Sequence, residues 1–171
     1  MKKSINMGVF PANLKFEDGL KLLKDAGFEG VELNTSEEGG ILNLDCKEDE
    51  AKRVAEIVRK SGLEISSLLV GQFWKYPLTS SDPEIRKKGE ECLEKGIKIS
   101  NWIGTDALLV VPGVVASFMG GGEIVMYDVA YKRSQESIKK CLELAEKMNV
   151  CICVENVWNK FLLSPLEFKR F

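Results

Sequence analysis

The residue best placed to do chemistry in this sequence is Glu155, which closes the apolar run Val150-Cys151-Ile152-Cys153-Val154. A carboxylate at the end of a buried strand is costly unless it is ion-paired, hydrogen-bonded or bound to a metal. With such a partner it can hold a divalent cation or move a proton. Without one it is a glutamate that begins a solvated loop, and the run alone leaves both readings open. Strand side chains alternate, so Cys151, Cys153 and Glu155 share one face while Val150, Ile152 and Val154 share the other. Histidine is absent, which removes the commonest general base and transition-metal ligand. Any chemistry must then use carboxylates, amides, lysine or tyrosine. Cys46, Cys92, Cys141, Cys151 and Cys153 form no CxxC pair and read as reduced, mostly buried thiols. Gly120-Gly121-Gly122 could cradle a phosphate through backbone N–H groups, although its spacing is not that of a P-loop and a plain loop explains it as well.

The elements that position Glu155 follow a repeat. Four times a helical pattern ends in a turn residue and gives way to a β-rich run: at Gly27 before 28–33, Gly62 before 63–69, Gly104 before 107–111 and Asn149 before 150–154. Gly and Asn tolerate the left-handed conformation just past a helix end. The spacing leaves room for one strand, one helix and two short loops, which is a βα repeat. A first strand is expected over Ile5 to Phe10, followed by a helix from Phe16 to Ala26. Asp45-Cys46-Lys47-Glu48 has the form of a capping box ahead of Ala51, Val54, Ala55 and Val58, an apolar stripe at helical spacing. Ser81-Asp82-Pro83-Glu84 opens a third helix, and Ile138, Leu142, Ala145 and Met148 are the expected buried stripe of a fourth. Ser164-Pro165-Leu166-Glu167 starts another helix only a few residues before the chain stops at Phe171. Five βα units fit either a flavodoxin-like doubly wound sheet or the first five units of a (β/α)8 barrel. The segment after the first strand, Pro11-Ala12-Asn13-Leu14-Lys15, lacks a glycine-rich phosphate turn; that and the ending inside a helix start favour a barrel apparently truncated after strand five.

Composition narrows the class. The 171 residues are 44% hydrophobic and 29% charged, enough for one core and one domain spanning 1–171. Lys and Arg (24) nearly balance Asp and Glu (26), a formal charge of −2, so no global field recruits nucleic acid or an anionic membrane. No apolar run approaches the roughly 20 residues a bilayer needs, and no signal-type segment opens the chain. A cytoplasmic protein is the expectation.

The segment from Val154 through Glu155-Asn156-Val157-Trp158-Asn159-Lys160-Phe161 to Glu167 closely resembles the fifth-strand region of the sugar-phosphate isomerase/epimerase family with the xylose-isomerase-like TIM barrel. That group includes ketose 3-epimerases, pentulose-phosphate 3-epimerases and hexulose-phosphate isomerases. Segments 11–14 with 26–33, 73–78 with 81–83, and 109–113 are similar to the same group, in chain order. The resemblance implies a divalent ion, most often Mn2+, held by Glu, Asp, His and Glu from successive later strands. Two of those glutamates exchange a proton beside the substrate carbonyl through an enediolate. Glu155 matches the first ligand glutamate, which is also an acid/base group; the other three ligands would lie beyond Phe171. Glu32 resembles an inward acidic residue near the site. Trp158, Asn159 and Lys160 fall in the loop where substrate contacts cluster, and Gln72, Phe73, Trp74 and Lys75 could wall the sugar pocket. Ketose 3-epimerases carry an acidic side chain soon after the Asn-basic-Phe step, whereas here Leu162 and Leu163 follow, which points away from a free-ketose epimerase.

The expected partner is therefore a small sugar or sugar phosphate. Taken alone, the chain is expected to bind no metal stably and to lack turnover, since one carboxylate does not make a catalytic metal site. A half barrel with open edge strands and an uncovered inner face is also expected to self-associate as a homo-oligomer. A purely structural, self-associating unit and a complete flavodoxin-like binding domain are the competing readings.

Overall fold

The computed structural model describes residues 2–36, 39–116 and 122–171. Strands and helices alternate: β1 (Ser4–Asn6), α1 (Phe16–Asp25), β2 (Gly30–Thr35), α2 (Glu48–Lys60), β3 (Glu64–Val70), α3 (Pro83–Ile103), β4 (Ala107–Val110), α4 (Tyr127–Lys147), β5 (Cys151–Val154) and α5 (Pro165–Arg170). The strands are parallel and lie in the order β1-β2-β3-β4-β5. A flavodoxin-like sheet would insert β1 between β2 and β3. Here every strand lies beside its sequence neighbour, as in a (β/α)8 barrel, so the doubly wound alternative is excluded. Consecutive helices α1 to α4 pack against one another, and the buried core lies between that layer and the sheet. The repeat is set by the predicted turn residues: Gly27, Gly62, Gly104 and Asn149 adopt φ of 81°, 77°, 80° and 53°.

The two faces of the sheet differ in chemistry. Val31, Leu33, Leu68, Val70, Leu108 and Val110 are buried and face the helices, and Ile152 and Val154 pack partly against the same core. Removing such side chains from water is the main stabilising term. The opposite, concave face carries Ser4, Asn6, Glu32, Asn34 and Ser67, which hydrogen-bond to one another or to neighbours across the sheet. One bulge makes this possible. Val31 pairs with Ile65 but Glu32 pairs with Ser67, so Ser66 is an extra residue. Without it, Ile65 and Leu68 could not both face the helices, because alternation places residues three apart on opposite faces.

Several elements differ locally from the sequence expectation. β1 ends at Asn6, where its side-chain oxygen accepts from Gly8 N (2.7 Å) and turns Met7–Val9 into a short 3-10 helix rather than further strand. The cap of α2 is Lys47, whose N–H donates to Glu50 Oε2 (2.8 Å), while Asp45 pairs with Lys95 of α3. The reciprocal carboxylate must sit three residues into the helix, which shifts the box two positions along the chain. α3 starts in the predicted segment with Pro83 at its first position, but its cap is Asp82 rather than Ser81, the Asp82 side chain accepting from Glu84 N (2.8 Å). On α4 the buried face runs through Ala130, Ser134, Ser137, Ile138, Cys141 and Ala145. Leu142 is 44% exposed, because it lies over the groove bordered by Ile152, Val154, Phe168 and Phe171 rather than over the core.

Candidate active site

The C-terminal ends of parallel barrel strands gather the loops where chemistry is built. Glu155 is the first residue past β5. Its N–H donates to Val110 O (3.0 Å), so the strand ladder continues through it and its side chain falls on the Cys151–Cys153 face. Cys151 is exposed and Cys153 half-buried, as expected for positions on the concave side. The Glu155 carboxylate is exposed and takes part in no hydrogen bond or ion pair with the described residues. It is an acceptor left open at the mouth.

Glu32 is differently placed. It sits on the concave floor, where Asn6 Nδ2 donates to Oε1 (2.7 Å) and Ser67 Oγ donates to Oε2 (2.6 Å). Asn6 also exchanges two hydrogen bonds with Asn34, at 2.7 and 2.9 Å. Both carboxylate oxygens of Glu32 are thus engaged by neutral donors, which makes it a fixed acceptor on an ordered polar floor. Asn6, Asn34 and Ser67 did not stand out in the sequence. The available signals were polar residues spaced two apart, Ser4 with Asn6 and Glu32 with Asn34, and the Ser66-Ser67 pair that interrupts strand alternation.

Of the residues after β5, Trp158 projects into solvent, 72% exposed, whereas Asn159 is fully buried. The Asn159 amide donates to Gly113 O (2.8 Å) and accepts from Phe161 N (3.3 Å), and its backbone oxygen accepts from Val115 N (3.0 Å). These bonds tie the loop after β5 to the loop after β4. Lys160 is exposed at φ 53°, and Leu162 follows at φ 55°, two left-handed non-glycine residues of the kind tolerated only when surroundings over-determine them. Those surroundings are a second apolar cluster of Val125, Ala130, Phe161 and Leu162. Phe161 meets the rings of Tyr127, Tyr131 and Phe171 at centroid distances of 5.5, 6.2 and 5.8 Å. The Tyr127 hydroxyl donates to Glu167 and accepts from Leu162 N (2.9 Å), and Glu167 accepts from Leu163 N (3.0 Å). Burial and the Glu167 contact together push the Tyr127 phenol up from its ordinary value. Tyr127 and Glu167 are site-supporting residues that sequence reading missed, since their partners are distant in the chain.

The loop after β3 divides its residues between two cavities. Trp74 and Lys75 border one of about 290 Å³ with Val114, Glu123 and Val125 from the segment after β4. Gln72 and Lys75 border another of about 270 Å³ against α3, on the flank away from β5. Phe73, by contrast, is buried in the core. Glu123 accepts from Ser81 N and Ser80 Oγ at 2.8 to 3.0 Å. Burial raises its pKa, but those hydrogen bonds and the nearby Arg133 charge outweigh it and leave the group below its ordinary value. Gly120 and Gly121 lie outside the described residues, and Gly122 is exposed with φ 80°.

Among the described residues no group of three or more His, Cys, Asp or Glu comes together. Glu155 can supply one ligand to a divalent ion, and among the described residues no other His, Cys, Asp or Glu completes a group of three around it. No helix among the described residues is long and apolar enough to cross a membrane.

Comparison with known proteins agrees with this geometry. SgbU of Haemophilus influenzae, provisionally named an L-ribulose-5-phosphate 3-epimerase, is 26% identical over 170 residues, which is 94% of this chain and 54% of that protein. UlaE of Salmonella typhimurium, named L-ribulose-5-phosphate 3-epimerase, is 23% identical over 168 residues, covering 91% of this chain and 54% of UlaE. The D-psicose 3-epimerase of Clostridium cellulolyticum H10, crystallised with D-tagatose, superposes with a TM-score of 0.78 at 16% identity over 98% of this chain and 57% of its own. The chain spans about half the length of these relatives, all named as sugar or sugar-phosphate epimerases. The family profile described as xylose isomerase-like TIM barrel matches residues 20–171, and with the sequential parallel sheet and its helical layer this chain belongs to the xylose isomerase-like TIM barrel family.

Proposed function

We propose that this chain forms the part of a ketose-phosphate 3-epimerase or related isomerase that carries one proton-transfer carboxylate, Glu155. The observation that carries the reading is an exposed, unengaged carboxylate at the C-terminal end of β5, on the concave side, in a fold several of whose relatives are named 3-epimerases. In this role Glu155 accepts the proton from the carbon beside the substrate carbonyl, leaving an enediolate. Inversion requires the proton to return on the opposite face, from a second group, and none of the described residues is assigned that role. Because the described residues bring no metal-binding group together, the expected Mn2+ enters no step, and Glu155 is assigned only as one of its ligands. Trp74 and Lys75 after β3 and Trp158 and Lys160 after β5 are assigned to substrate contacts, and Glu32 presents a fixed acceptor on the floor. Asn159 acts through the loop it pins, and Gln72 opens on the flank. A phosphorylated pentulose is favoured over a free ketose, since Leu162 and Leu163 replace the acidic residue expected of free-ketose enzymes and the relatives SgbU and UlaE are named for a ketose phosphate.

The test is exchange of the C3 proton of L-ribulose 5-phosphate with D2O, followed by NMR with Mn2+ present. The 171-residue chain alone is expected to give negligible exchange. The chain fused to the C-terminal half of UlaE is expected to give exchange that Glu155→Gln abolishes. Exchange by the fusion that persists in Glu155→Gln would overturn the assignment of Glu155, and robust exchange by the chain alone would overturn the need for further strands.

A further inference from the structure

Three successive helices are finished by a side chain that belongs to the helix before. The last carbonyls of an α-helix have no intrahelical partner. Lys24 Nζ, in the last turn of α1, donates to Gly62 O just past α2 (2.7 Å). Arg59 Nη2, in the last turn of α2, donates to Ile103 O at the end of α3 (3.1 Å). Asn101 Nδ2, in the last turn of α3, donates to Met148 O at the end of α4 (2.9 Å).

These donors occupy one place in the repeat. Each stands three positions before the left-handed residue that ends its own helix, Lys24 before Gly27, Arg59 before Gly62 and Asn101 before Gly104. The turns leave room for the two long cations: a Cβ on Gly62 would lie 3.4 Å from Lys24 Cε, and one on Gly104 would lie 2.7 Å from Arg59 Nη2. Glycine at these turns therefore serves the approach of the donor as well as the positive φ. The matching residue of α4 is Glu146, before Asn149. A carboxylate accepts and does not donate, so the series stops at α4.

We propose that these bonds form a directional relay on the face where the strands begin, in which each βα unit caps the next. Loss of a donor then loosens the end of the following helix and leaves the end of its own helix intact. A helix C-terminus carries partial negative charge, so Lys24 and Arg59 add a charge–dipole attraction to the hydrogen bond, whereas the neutral Asn101 amide supplies the bond alone. The relay lies at the opposite end of the sheet from Glu155 and does not depend on the epimerase reading.

The test is native-state amide hydrogen exchange of the 171-residue chain, read by NMR. Lys24→Met and Arg59→Met keep the aliphatic stem and remove the donor, and Asn101→Ala removes the amide. Exchange should rise about two- to tenfold at residues 61–62 in Lys24→Met, at 104–105 in Arg59→Met and at 148–150 in Asn101→Ala. At the end of the donor's own helix it should change by less than about twofold. Repeating each comparison in about 1 M KCl should shrink the Lys24 and Arg59 effects and leave that of Asn101. The inference is overturned if exchange rises equally at the donor's own helix end, if it rises uniformly through the sheet, or if the variants exchange like the parent.

Discussion

Replacing Asn159 with alanine separates a residue that contacts substrate from one that builds the site. Asn159 is fully buried, and its amide joins Gly113 O at 2.8 Å to Phe161 N at 3.3 Å. Alanine removes both partners, leaving one buried carbonyl and one buried N–H unsatisfied at about 1–3 kcal/mol each. The expected destabilisation is about 2–5 kcal/mol, a large share of the roughly 5–15 kcal/mol available to a domain. With a urea m-value of about 1–3 kcal/mol per molar, the unfolding midpoint should fall by about 1–2 M at unchanged m. Trp158→Ala is the internal control: the side chain is 72% exposed, and a surface change of this kind shifts stability by less than about 0.5 kcal/mol. Asn159→Asp sharpens the test. It preserves shape and the acceptor for Phe161 N but points an oxygen at Gly113 O, so it should destabilise despite being isosteric. Urea denaturation followed by circular dichroism reads all three variants. Midpoints for Asn159→Ala and Asn159→Asp that match Trp158→Ala would refute the reasoning and return Asn159 to a substrate-facing role.

Other substitutions probe packing and charge. The Glu123 carboxyl titrates below its ordinary value of 4.5, so its contribution is present above that pH and fades as the pH falls through the folded-state value; Glu123→Gln should flatten the stability profile between about pH 6 and about pH 3, by less than about 1 kcal/mol because the group is exposed. A Cβ on Gly96 would lie 2.8 Å from Val70 Cγ2 and 3.2 Å from Leu108 Cδ1. Gly96→Ala should be near neutral in thermal melts, since a helix-propensity gain of about 1 kcal/mol offsets the methyl shift, whereas Gly96→Leu should cost about 3 kcal/mol. Burial, with Glu94 and Glu90 nearby, pushes the Cys141 thiol up to about 11, while Cys151 is exposed. Iodoacetamide at mildly alkaline pH should therefore label Cys151 first and Cys141 last by peptide mass spectrometry; equal rates would contradict the burial of Cys141.

Much of the architecture was legible in the sequence because local rules act where the chain is locally constrained. Left-handed φ at Gly27, Gly62, Gly104 and Asn149 punctuates the βα units, and the Ala51, Val54, Ala55, Val58 stripe is buried as its spacing requires. Glu155 was legible for the same reason: strand alternation assigns it to the face of Cys151 and Cys153. Strand order separated the barrel from the doubly wound sheet, since five identical βα units are compatible with either until it is known which strands are neighbours. The remaining decisions also belonged to contacts between distant residues. Ser66 becomes a bulge because Ile65 and Leu68 must both reach the helices and Ser67 must reach Glu32. Asn159 is a buried tie because Gly113 stands opposite it, and Leu142 is exposed because α4 turns its serine and cysteine side to the core. A sequence pattern reports which positions want burial, but a hydrogen bond needs a partner at one distance and angle, and only the tertiary fold brings that partner into place.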